Sequence, residues 1–170
     1  NNYAGGNVVV IGNGNSSTVD AGAQASAKTY AAAINTTTAN TGVTATAITK
    51  ISLALSATDD SINLNIGSSS GSLTNIGAVT AGSTNQTALI NAINAKSSIT
   101  GVTAAANATN DKIILTDIDG DDINLSRTDT SGSRDITVGQ VAADGTISGT
   151  QAMQETDGGN TKNDNVLFVG

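Results

Sequence analysis

Two stretches of this chain share one pattern. AAAINTTTANTGVTATA occupies residues 31–47 and LINAINAKSSITGVTAAA occupies residues 89–106. Ile34 and Ile93 stand 59 positions apart, as do Gly42 and Gly101, so the spacer inside each copy has the same length. An internal duplication limits the fold before any single residue is weighed, because the structure one copy adopts is expected in the other. With 170 residues to share, each unit lies near the lower limit at which a core supports itself, so the two are expected to lean on each other.

Periodicity assigns the elements. Val8 to Ile11 reads as a short buried strand ending in a Gly/Asn turn. Ala23, Ala27, Tyr30 and Ile34 fall at i, i+4, i+7 and i+11, the stripe of an amphipathic helix starting at Asp20, with Thr18 or Asp20 as its cap. Beyond Gly42, Val43, Ala45 and Ala47 alternate as in a half-buried strand, and so do Ile51, Leu53 and Leu55. The turn SATDD then leads to Ile62, Leu64 and Ile66 as a hairpin partner.

The second copy repeats the plan. Ser83 and Gln86 have capping-box spacing, and Leu89, Ala92, Ile93 and Lys96 form the helix stripe. Val102, Ala104 and Ala106 begin a strand, and KIILT, the turn DIDGD and DINLS are expected to make a second hairpin, with INL at 123–125 mirroring INL at 62–64. Each unit therefore reads helix, strand, strand, strand.

The expected fold is α+β and strand-rich. A first unit with its N-terminal strand covers residues 1–67, a second unit 68–127, and a β-rich tail 128–170. In the tail, DITVGQV reads as a strand, DGTIS as a turn into a short one, GTQAMQETDGGNTKND as a polar connection and NVLFV as a last strand. The apolar ends, residues 8–11 and 166–169, are expected to pair with each other, as the close termini of an inserted domain would. The chain opens on Asn1 rather than Met, and the expectation is a piece of a larger protein.

Composition narrows the chemistry. There is no Cys, His, Pro or Trp, and only Tyr3, Tyr30 and Phe168 are aromatic. Disulfides, thiolate sites and the commonest general base and zinc ligand are thereby excluded. The cores must be built from Ile, Leu, Val and Ala. Fourteen acids against seven bases give a net charge of −7, which repels phosphate backbones and anionic membranes, so neither nucleic acid nor membrane is an expected partner. Glu155 is the single glutamate, a poor stock for acid/base work, and no residue pair is marked for catalysis. The expectation is a protein that is not an enzyme and needs no cofactor.

Ala33, Ile34, Asn35, Thr41, Gly42, Val43, Thr44 and Ala45, matched by Ala92, Ile93, Asn94, Thr100, Gly101, Val102, Thr103 and Ala104, resemble the IN motif of bacterial flagellins and flagellar hook-associated proteins. The two copies with their flanks cover roughly residues 18–126. The residues themselves call for folding roles. Ile anchors the helix on the sheet, and Asn can bond backbone groups freed at the helix end. Gly permits the sharp turn, and Val starts the buried face.

The resemblance implies a secreted, extracellular structural domain exposed on the flagellar filament, serving motility and presenting an antigenic surface. It implies other flagellin subunits as partners in the full-length homopolymer, and host antibodies as ligands of the surface. The coiled-coil arms that build filaments have no counterpart here, so the chain by itself is expected to be a monomer. A junction or cap domain of a hook-associated protein is the alternative, and a surface adhesin or carbohydrate-binding module is a third. Ser and Thr hydroxyls are plentiful, as O-glycosylation would need.

Two motifs invite a ligand. Gly12 and Gly14 follow a strand and precede a helix, but Ser17 stands where a dinucleotide fingerprint would place its third glycine. Asp117, Asp119, Asp121 and Asp122 cluster oxygen ligands of the kind calcium takes, yet Gly120 and Thr128 fall where an EF-hand would not have them. The expectation for both is a turn and no metal site.

Overall fold

A computed structural model of the chain describes residues 6–23, 25–68, 72–128, 136–153 and 165–168. Tyr3, Val169 and residues 154–164 of the expected polar connection lie outside them. The fold is α+β and strand-rich.

The first strands are β1 (Asn7–Gly12) and β2 (Asn15–Asp20), an antiparallel hairpin. Its turn residues Asn13 and Gly14 both have positive φ, 52° and 73°, as a type I′ turn requires. Asp20 therefore belongs to a strand and not to a helix start. It sits opposite Asn7, and its Oδ1 accepts the Gly22 N–H at 2.8 Å. The helix α1 (Ala27–Asn35) begins later, capped by Ser26, whose Oγ accepts the Thr29 N–H at 3.3 Å.

A single further turn, α2 (Thr38–Thr41), ends at Gly42 in the left-handed region, φ 70°. The second copy reproduces this sequence of elements in α3 (Thr87–Asn94), α4 (Ser97–Thr100) and Gly101 at φ 73°. Leu89 and Ile93 of α3 are fully buried, as their stripe demands. The expected capping box is absent. Gln86 makes no side-chain bond to the helix it precedes, and its Nε2 donates to the carbonyls of Ser83 and Asn110 at 3.0 and 3.4 Å.

The remaining strands form two larger sheets and one small one. They are β3 (Thr49–Ala54), β4 (Asp60–Ile62), β5 (Leu64–Ser68), β6 (Thr74–Asn75), β7 (Val79–Ala81), β8 (Val102–Ala106), β9 (Ile113–Asp117), β10 (Ile123–Arg127), β11 (Ile136–Val141), β12 (Ile147–Met153) and β13 (Asn165–Phe168). One sheet has the order β12-β11-β3-β9-β8 and another β13-β10-β5-β6, antiparallel throughout, while β4 pairs with β7.

Neither expected hairpin forms. β3 does not turn back onto β5, nor β9 onto β10. Each strand instead pairs with its counterpart from the other copy: β3 with β9, placing Ile51 opposite Leu115 and Leu53 opposite Ile113, and β5 with β10, placing Ile66 opposite Leu125. The turn DIDGD thus carries the chain from one large sheet to the other, while SATDD leads into β4 of the small sheet before the chain reaches β5. Ile51, Leu53, Leu64, Ile66, Ile113, Leu115, Ile123 and Leu125 are all fully buried in one hydrophobic cluster, which Ile136, Val138 and Met153 of the tail complete.

The expected strand at Val43, Ala45 and Ala47 does not form either. Residues 43–48 keep the alternation, half-buried then exposed, but join no ladder. In the second copy the equivalent strand, β8, occupies one edge of β9. The corresponding edge of β3 is taken by β11, so the tail has displaced the first copy's own strand. Among the described residues the expected pairing of 8–11 with 166–168 does not form: β1 pairs with β2, and β13 with β10. The polar connection is shorter than expected, because β12 runs on to Met153.

Candidate functional site

The duplicated motif builds the same local device twice. Asn94 Nδ2 donates to the Ala104 carbonyl at 2.9 Å, and its Oδ1 accepts the Ala104 N–H at 2.8 Å. Asn35 does the same to Ala45, at 3.0 and 2.8 Å. Just before each glycine turn, Thr100 and Thr41 donate back to the carbonyls of Lys96 and Thr37 at 3.1 and 3.0 Å. Their Oγ1 atoms also accept the N–H groups of Val102 and Val43, both at 3.2 Å. The Asn and the Thr before the glycine spend their side chains mainly on backbone in both copies, so they fix the angle between the helix and the segment that follows the glycine.

The clamp survives in the first copy although residues 43–48 have no ladder. It therefore depends on the helix, the glycine turn and the asparagine alone.

The acidic turn is likewise committed internally. Asp117 is buried, and its Oδ1 accepts the N–H groups of Asp119 and Asp121 at 2.9 and 3.3 Å, closing an Asx-type turn. Asp121 forms an ion pair with Lys28 at 2.7 Å. The hydrogen bond that Lys28 Nζ donates to Asp121 and the neighbouring carboxylates hold the Lys28 ammonium above its ordinary pKa. Among the described residues no three His, Cys, Asp or Glu side chains converge on a point where a metal could sit. Gly120, at φ 75°, lets the turn approach Ala47, and its carbonyl accepts the Lys28 N–H at 3.0 Å. The DIDGD turn thus fastens α1 to the body of the protein.

Gly12 and Gly14 have equally local duties. Gly14 supplies the turn conformation, and a side chain on Gly12 would collide with the Thr41 carbonyl. Arg127, which sequence reading left unassigned, is nearly fully buried with its Nη2 3.7 Å from Asp60 Oδ2. Nothing in its local pattern marks it, since it ends an ordinary alternating strand.

A shallow groove of about 290 Å³ lies beside the start of α3, lined by Thr84, Gln86, Thr87, Ile90, Ala106 and Asn110. It holds no titratable side chain. Tyr30 is half-buried and its hydroxyl donates to the Gly22 carbonyl at 3.4 Å. Among the described residues no helix is long and apolar enough to cross a membrane. No protein-family model matches the chain, and no curated protein matches it.

Proposed function

We propose that this chain is a structural, surface-exposed domain of a bacterial flagellar filament subunit. The carrying observation is the duplicated clamp, in which Asn35 and Asn94 spend both side-chain atoms on Ala45 and Ala104. That geometry gives the Asn and Thr side chains on either side of the glycine turn a folding duty in both copies. In this reading the domain projects outward, is secreted, and sets the charge, hydration and antigenic character of the filament. A net charge of −7 favours solubility at the crowded surface of a polymer. The half-buried setting of Tyr30 speaks against a sugar-stacking adhesin.

Immunogold electron microscopy of the source cells, with antibodies raised against this chain, tests the reading. Labelling along the filament is expected. Gold confined to the hook junction or tip would transfer the domain to a hook-associated protein, and absence of flagellar label would overturn both.

A further inference from the structure

The duplication extends beyond the helix pair to the hairpin ahead of it. β2 begins at Asn15 and β6 at Thr74, again 59 positions apart. β1 and β2 pack on α2, and β5 packs on α4. A Cβ on Gly42 would meet Asn13 of the first hairpin, and one on Gly101 would meet Ser68 of β5. The two hairpins are therefore equivalent, with one difference. The edge of β5 facing away from β6 is covered by β10, whereas among the described residues the edge of β1 facing away from β2 pairs with nothing.

That bare edge is well defined. Gly12 and Asn15 flank a two-residue turn, so Gly12–Asn15, Val10–Ser17 and Val8–Val19 exchange the ladder bonds. Asn7, Val9 and Ile11 consequently turn their N–H and C=O groups outward, and no other hydrogen bond among the described residues uses them. Val9 and Ile11 are also 58% and 72% exposed. The strand NVVVIG carries no charge and no proline, the devices that normally guard an edge.

We infer that β1 pairs antiparallel with β1 of a second copy of this chain. A two-fold axis at Val10 sets Val9 of each copy opposite Ile11 of the other, in two pairs that each exchange both backbone bonds. It also gathers the four exposed aliphatic side chains on one face. The contact satisfies both bare edges at once, as an isologous interface must. An uncharged strand lets two chains of charge −7 meet without opposed carboxylates. Monomeric behaviour was expected from the lack of coiled-coil arms, but an open edge is a separate route to association and does not rest on the filament reading.

Sedimentation velocity of the 170-residue chain from micromolar to millimolar concentration reads the association. A dimer is expected, and Val9→Lys/Ile11→Lys should raise its dissociation constant by about tenfold or more while leaving the far-ultraviolet circular dichroism unchanged. Because the chain has no cysteine, Val9→Cys and Ile11→Cys variants report the register: oxidised together they should form a mixed disulfide faster than either alone. A monomer at every concentration, a dimer indifferent to the lysines, or cross-linking no faster in the mixture would each overturn the proposal. The first result is also expected if another segment of the same chain covers β1.

Discussion

Asn94 holds Ala104 at two points, donating to its carbonyl at 2.9 Å and accepting its N–H at 2.8 Å, across the sharp turn at Gly101. Ala104 is buried and belongs to β8, whereas Ala45, held in the same way by Asn35, lies in a segment with no ladder. Identical contacts thus sit in unequal surroundings.

Asn94→Ala should therefore cost about 2 kcal/mol, the sum of two lost hydrogen bonds beside buried backbone, and Asn35→Ala less than about 1 kcal/mol. Urea unfolding of the two variants checks the ordering, and equal losses would contradict it.

Gly101 has φ 73°, and a Cβ there would come within 3.2 Å of Asp117 Oδ2. Gly101→Ala is expected to destabilise by roughly 1–2 kcal/mol from the left-handed backbone alone. A drop in melting temperature is the readout.

The Arg127 guanidinium faces the Asp60 carboxylate in a nearly dry site. Arg127→Met leaves that carboxylate without its counter-charge and should cost about 3–5 kcal/mol. Adding Asp60→Asn should restore part of the loss. A double-mutant cycle by denaturant unfolding measures the coupling.

Asp111 accepts hydrogen bonds from Lys112, Thr109 and Asn107, and these hold its carboxyl well below the usual carboxylate range. A depressed native pKa means that the unfolded chain takes up the proton first. The contribution of Asp111 is therefore complete above the ordinary aspartate pKa of about 3.9 and is lost as pH falls towards the native value. Asp144, lowered by its bonds to Thr146, acts in the same direction. Asp111→Asn should flatten the acid limb of a melting-temperature profile and leave its alkaline limb alone.

Beyond the missed strands β2, β6 and β7, the sequence disclosed the core strands, which face of each is buried, and the glycine turns that end the helical segments. Those properties are local: Ile51, Leu53, Ile113 and Leu115 announce a buried face by alternation, and Gly42 and Gly101 announce a left-handed turn. Pairing is not local. The five-residue turns SATDD and DIDGD look like hairpin loops, and only the competition among all strands sends β3 to β9 and β5 to β10. Residues 43–48 show the same limit, since their alternation is genuine but β11 holds the edge they would need. The Asn clamp was legible as a helix-end role, while its target, Ala45 or Ala104, was not. The Arg127–Asp60 pair gave no sequence signal, because its members lie on strands of different sheets.

The exchange of strands between copies has a consequence for synthesis. β3, in the middle of the largest sheet, is complete at residue 54, but its neighbours β9 and β11 begin at residues 113 and 136. At ribosomal speeds of about 5–20 residues per second, the central strand waits several seconds with both flanks bare. A polypeptide truncated between the repeats would remain in that state, as a sticky, unsatisfied intermediate, because neither half contains the partner it was shaped to meet.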